Sequence, residues 1–271
     1  MTANPSGPIG VFDSGIGGLT VAHAIKQALP NERLIYFGDT AHLPYGDKSA
    51  AAVQAYAVKI ADLLIARGCK VIVIACNTAS AVANELLKEY TASRAKVINV
   101  IEPMVAKLTG MQPDGKIGVI GTRGTIDAGI YGRLLRQARP GIEVAELATP
   151  LLVPMIEEGF VQGRIATDVI GNYLGHPLLA GSRHLVLGCT HYPLIGDEIA
   201  GYLGEQVAVH DSSVVTAAYL RSYLEQKKLL ADRPATQPDH FYISDYTDNF
   251  ARLARRFFGG DVTLEEYRLW E

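Results

Sequence analysis

The run Val71-Ile72-Val73-Ile74-Ala75-Cys76-Asn77-Thr78-Ala79-Ser80 decides the fold. Its apolar, mostly β-branched first half predicts a strand over Val71–Ala75. The small polar residues after it lead into a helical pattern that ends near Tyr90. A strand apolar on nearly every residue needs cover on both faces, the condition of a parallel sheet between helices. Cys76 falls where the strand turns into the helix. In open α/β sheets ligands bind outside the carboxyl ends of the strands, so this cysteine stands where such a fold places its chemistry. Backbone N–H groups and the positive end of a helix dipole would favour a thiolate there.

Outward from this run, further short apolar segments predict strands at Ile9–Phe12, Leu34–Phe37, Val97–Val100, Ile117–Ile120, Ile142–Ala145, Leu185–Leu187, Val207–Val209 and Phe241–Ser244. Between them Leu19, Ala22, Ile25 and Leu29 recur at helical spacing, as do Ala55, Ile60, Leu63 and Leu64. Strand and helix alternate, which predicts an α/β protein with mainly parallel sheets.

Two segments recur in order. Ile9-Gly10-Val11-Phe12-Asp13-Ser14 is echoed by Ile117-Gly118-Val119-Ile120-Gly121-Thr122, an offset of 117 − 9 = 108. The run ending Ala75-Cys76-Asn77-Thr78 is echoed by His184-Leu185-Val186-Leu187-Gly188-Cys189-Thr190, with 189 − 76 = 113. Each copy places a cysteine at the same point. The expectation is a duplicated unit: two similar α/β domains, pseudo-twofold related, with the active site at their interface. Residues 1–100 plus 211–271 form the first domain and residues 101–210 the second. The halves meet near Val100–Pro103 and again near His210–Ser212. The segment after Ser213 returns to the first domain as a helix, a proline-containing connection over Arg233–Pro238, a strand and a helix.

Composition narrows the function. Of 271 residues 48% are hydrophobic and 20% charged, enough apolar material for a sizeable core and too much for disorder. The 25 basic and 28 acidic side chains give a net charge of −3 without a basic run, which excludes an electrostatic nucleic-acid footprint. Met1–Pro8 lacks the basic-then-apolar pattern of a leader, and no apolar run is long enough to span a bilayer. Three cysteines, Cys69, Cys76 and Cys189, make no disulfide framework, and their sparse use fits a reducing cytoplasm. Without a Cys-x-x-Cys pair, neither a zinc site nor a redox disulfide is indicated. Cys69, with no polar neighbours in sequence, reads as a small buried hydrophobe.

Two matched thiols across an interface fit proton transfer at opposite faces of one carbon. A thiol pKa of about 8.5 lets modest tuning hold one as thiolate and the other as thiol. Other readings of the same residues stay open at this level. Cys189 with His191 can be a thiol hydrolase pair, and the interface can be a binding cleft without catalysis. Asp13 can be a helix N-cap, His191 an interior histidine, and Glu157 a solvated helix residue. Asp39 and His42 can line a pocket or order a loop, and Tyr267-Arg268-Leu269-Trp270 reads as packing or a solvated edge.

Four stretches together resemble the glutamate racemase family: Phe12 to Val21, Tyr36 to Gly46 (Tyr36-Phe37-Gly38-Asp39-Thr40-Ala41-His42-Leu43-Pro44-Tyr45-Gly46), Ala75 to Ser80, and Gly188 to Leu194. They appear in family order between residue 9 and about residue 196. Gly15-x-Gly17-Gly18 alone would be a weak signal, and Thr20 occupies the third glycine position of a dinucleotide fingerprint. The resemblance implies a cofactor-independent, metal-free interconversion of L- and D-glutamate in the cytoplasm, supplying D-glutamate for peptidoglycan and so for cell wall biogenesis and cell shape. It makes Cys76 and Cys189 the acid/base thiols, with Asp13 beside the first and His191 and Glu157 beside the second. It makes Asp13, Ser14, Tyr45, Gly46, Asn77, Thr78, Thr190 and His191 substrate contacts. Aspartate-type relatives tend to carry an acidic residue after the second Cys-Thr, where this chain has His191. The resemblance implies no nucleic-acid or membrane partner, and family members commonly form homodimers. Neutral donors on the substrate carboxylates, without Lys or Arg, would avoid over-stabilising the ground state.

Overall fold

The computed structural model describes residues 4–271; the first three residues of the Met1–Pro8 segment lie outside them. Ten strands are present: β1 (Ile9–Asp13), β2 (Leu34–Gly38), β3 (Val71–Ile74), β4 (Lys96–Asn99), β5 (Lys116–Gly121), β6 (Val144–Ala148), β7 (Ser182–Gly188), β8 (Ala208–Asp211), β9 (His240–Ile243) and β10 (Leu264–Glu266). They build two sheets. One has the order β10-β9-β2-β1-β3-β4 and the other β6-β5-β7-β8, and every pairing is parallel.

The duplication is written into the pairing. The order β2-β1-β3-β4 in one sheet matches β6-β5-β7-β8 in the other. Ile9 lies opposite Val71 and Ile117 opposite His184, and since 9 + 108 = 117 and 71 + 113 = 184, both sequence offsets survive in the register. β9 and β10 extend the first sheet beyond its β2 edge.

Strands β1, β2 and β3 are buried at every residue. One side packs on helix Leu19–Ala28, whose Leu19, Ala22 and Ile25 are buried, as is Leu29 just beyond. The other side packs on helix Ala50–Ala66. There the buried face is Val53, Ala57, Ile60, Ala61 and Leu64, while Ala55 is exposed. Ala55 to Ile60 is a five-residue step that misses the face; Ala57 to Ile60 and Ala61 keeps it.

Two further departures have local causes. β6 starts two residues later than the apolar run Ile142–Ala145, because Gly141 is in a left-handed turn (φ 87°) and Ile142 closes that turn onto Arg139. β10 is a three-residue edge strand with two exposed glutamates, so it carries no apolar alternation to read.

The chain passes between the sheets twice, through helix Ile101–Gly110 after β4 and helix Ser212–Gln226 after β8. These two helices pack on each other, and Ser212–Gln226 also packs on Leu19–Ala28. No helix among the described residues is long and apolar enough to cross a membrane.

Candidate active site

Both cysteines stand just past the carboxyl ends of equivalent strands, Cys76 after β3 and Cys189 after β7. They line one cavity of about 230 Å3, below the roughly 300–1,000 Å3 of drug-sized sites and suited to a small metabolite. Ser14, Tyr45, Gly46, Asn77, Thr78, Glu157, Thr190 and His191 line it too. Asp13 is 1% exposed and lies behind this wall, next to Ser14.

The Cys76 side is dominated by burial and an anion. Cys76 caps helix Asn77–Thr91, its sulfur accepting the Ala79 N–H at 3.4 Å, and its thiol lies 3.7 Å from the Ser14 hydroxyl. Loss of water pushes the thiol up, the Asp13 charge pushes it further, and the N–H and hydroxyl only partly offset them; the result is about 12. The helix terminus is therefore outweighed, and Cys76 rests as a thiol.

Asp13 itself is raised above the usual carboxylate range by burial, against the His191 charge and nearby backbone N–H groups. Its Oδ2 accepts the Gly15 N–H at 3.1 Å, and its Oδ1 is buried without a partner. The helix begins at Leu19 with Gly18 as its cap and no side-chain cap bond, so Asp13 is not its N-cap.

On the Cys189 side an imidazole stands between sulfur and carboxylate. His191 Nδ1 is 3.8 Å from the Cys189 sulfur and Nε2 is 2.9 Å from Glu157 Oε1. Burial alone would lower its pKa, but the hydrogen bonds and negative charges of Cys189 and Glu157 raise it to about 10. Here the site holds a cation. Glu157, indistinguishable in sequence from Glu158, is singled out because helix Leu152–Glu157 ends at the cavity.

Two glycines bring the halves together. A Cβ on Gly17 would overlap the His191 ring, and one on Gly46 would lie 2.9 Å from Thr122 Cβ. Thr20 donates its hydroxyl to the Thr190 carbonyl at 3.0 Å, which explains a threonine at the third glycine position. Thr78 hydrogen-bonds to Thr122 at 2.9 Å and Thr125 at 3.2 Å, a hydroxyl cluster spanning the two units.

Several residues at the site went unread in the sequence. Thr122 could have been found, since 122 − 14 = 108 makes it the counterpart of Ser14. Arg123 also lines the cavity, 3.8 Å from Asp47 in an exposed pair, so the expectation of neutral donors alone is corrected at the rim. Buried Asp39 takes hydrogen bonds from Tyr45 (2.7 Å), Ser244 (2.8 Å) and the Trp270 indole (2.8 Å), with His42 at 3.0 Å. It thereby orders the loop carrying Tyr45 and Gly46 and engages the Tyr45 hydroxyl. In the Tyr267–Trp270 segment Tyr267, Leu269 and Trp270 pack half-buried on the first unit while Arg268 is exposed, so it is both packing and edge. Cys69 is buried and pushed up to about 12 by desolvation, so it is an inert thiol.

The sequence profile of the Asp/Glu/Hydantoin racemase family matches residues 9–220. The chain belongs to that family. Among relatives within it, the glutamate racemase of Geobacter metallireducens is 42% identical over 254 residues, covering 94% of this chain and 93% of that one. The glutamate racemase of Corynebacterium glutamicum is 45% identical over 261 residues, with coverage of 94% and 93%. Among solved structures, glutamate racemase from Francisella tularensis in complex with D-glutamate superposes with a TM-score of 0.90 at 39% identity, covering 98% of this chain and 99% of that one. The two-sheet α/β architecture is therefore the family's.

Proposed function

We propose that the chain interconverts L- and D-glutamate without a cofactor, using Cys76 and Cys189 as the two acid/base groups. The observation that carries this reading is the pair of cysteines at equivalent positions of a duplicated unit, facing one cavity with opposite charged partners. Cys189 lies 3.8 Å from the ring of His191, the cation of the site, and Cys76, beside Asp13, is held as a thiol.

In one direction the Cys189 sulfur takes the α-proton as the Cα–H bond breaks, and the electron pair passes towards the substrate carboxylate. The Cys76 S–H then delivers its proton to the opposite face of Cα, leaving a Cys76 thiolate and a Cys189 thiol. In the reverse direction the roles exchange. Asp13, lifted by burial, and the Glu157–His191 pair are the groups that carry protons to and from the sulfurs between turnovers. The developing charge on the substrate carboxylate is met by donors in a dry site, where they count for more than in water. Ser14, Asn77, Thr78, Thr190 and the backbone at Tyr45 and Gly46 are the substrate contacts in this reading. Asp13 acts on it through Cys76.

The family's role extends the proposal. The product D-glutamate would serve peptidoglycan synthesis, and through it cell wall biogenesis and cell shape, in the cytoplasm. Residues 1–100 plus 211–271 and residues 101–210 would be the two domains of a chain that pairs into a homodimer.

The test is incubation with L-glutamate in D2O, with no cofactor added, following loss of the α-proton signal and appearance of the D-isomer. Washout of the α-proton together with racemisation is expected. Folded protein that exchanges no proton would overturn the reading.

A further inference from the structure

One contact between the two units reaches a side chain of the cavity and is not used in the steps above. Tyr131, in helix Ile130–Ala138, is fully buried. Its hydroxyl donates a 2.7 Å hydrogen bond to Asn77 Oδ1. Asn77 follows Cys76, lines the cavity, and has its Nδ2 buried without a partner. The two ends of one carboxamide thus stand in opposite conditions, the oxygen secured and the amino group free.

Which way that amide faces matters for an anionic ligand. Half a turn exchanges its donor end for its acceptor end, and an acceptor facing a carboxylate repels it. Asn77 is the one hydrogen-bond partner of the Tyr131 hydroxyl among the described residues. With the amide turned over, its amino group would donate to the phenol oxygen, and the phenol proton would be buried without an acceptor. Leaving that proton unmatched costs more than making the bond gains. The tyrosine therefore selects one of the two faces.

We propose that Tyr131 is a positioning residue: reaching from the four-stranded-sheet unit, it takes up the Asn77 carbonyl and keeps the amide nitrogen aimed into the cavity as a donor to a substrate carboxylate. The inference deepens the racemase reading and rests on it for the identity of the carboxylate. It also means that the donor beside Cys76 is set only while the second unit is in place.

Tyr131→Phe removes the hydroxyl and keeps the ring that fills the core. The expected result is a fall of about tenfold in kcat/KM for L-glutamate, equivalent to roughly 1.4 kcal/mol, carried by KM more than by kcat. In an Asn77→Ala background the same substitution should change nothing further. The Asn77 side-chain NH2 resonances, identified by their loss in Asn77→Ala, should shift in Tyr131→Phe with no substrate present. Unchanged resonances, or the full tenfold effect persisting in the double variant, would overturn the positioning role whatever the activity. Wild-type protein that fails to racemise glutamate while those resonances shift would overturn the glutamate reading and leave the positioning role standing.

Discussion

The two halves of the site share a backbone plan and differ in charge. Asp13 ends β1 and Cys76 follows β3, while Gly121 ends β5 and Cys189 follows β7. By the same offsets (13 + 108 = 121 and 78 + 113 = 191), Asp13 corresponds to Gly121 in the other copy, and His191 to Thr78. Each copy has thus gained one ionisable group where its counterpart is neutral. The anion lies on the Cys76 side, where with burial it holds a thiol near 12. The cation lies on the Cys189 side, held near 10 by Cys189 and Glu157. Duplication supplied two equivalent sulfurs, and two side-chain differences set an anion beside one and a cation beside the other. A two-base racemase needs that inequality at rest, since one group must lack a proton while the other has one.

The comparison breaks most directly at the sulfurs. Cys76→Ala and Cys189→Ala should each reduce racemisation by on the order of 10²- to 10⁴-fold, the usual worth of a positioned acid or base. Chiral analysis of the product checks this, and full activity surviving in either variant would sink the two-thiol mechanism.

Next in size are the charged partners. Asp13→Asn should lower the Cys76 thiol from about 12 by removing its anionic neighbour, and cut kcat about 10- to 100-fold. Following ultraviolet thiolate absorbance against pH measures the first effect. If the thiol titrates unchanged, the Cys76 environment is set by burial alone.

Two buried histidines sharpen the contrast at the level of stability. His191 is raised to about 10 in the folded state, above about 6.5 in the unfolded chain, so its stabilisation is full below pH ~6.5 and is lost as pH rises through about 10. His210, stacked on His184 in the same sheet, is lowered to about 4 by burial, with Lys107 and His184 adding to it. It therefore favours the fold above pH ~6.5 and loses that stabilisation as pH falls through about 4. Melting curves should show the gap between wild type and His191→Gln closing towards pH 10, and that between wild type and His210→Asn closing towards pH 4. The same pH dependence for both variants would refute the opposite shifts.

The smallest expected effect lies where the halves touch. Gly46→Ala places a Cβ against Thr122 and should weaken glutamate binding by about 1 kcal/mol with kcat nearly kept. Calorimetric titration against wild type checks it, and unaltered affinity would mean that the loop gives way freely.

Much of this site was legible in sequence because its backbone plan is local. A β-branched run, a cysteine and a small-residue turn specify strand, thiol and helix entry within ten residues, and the echo at 108 and 113 located the second copy. Other features were not legible. Tyr131 sits in an ordinary amphipathic helix, and Trp270 lies 231 residues from the Asp39 that accepts its N–H. The resting state of Cys76 was not legible, because the desolvation that opposes the helix terminus exists only once the residue is enclosed.

The sequence by itself determined the α/β class, the duplicated unit and the matched position of a cysteine in each copy, all of which follow from periodicity and order along the chain. Only the tertiary structure decided which charge lies beside each of them. Charge regulation depends on how much water is excluded and which partners lie within a few ångströms, and both are set by segments that meet across two sheets.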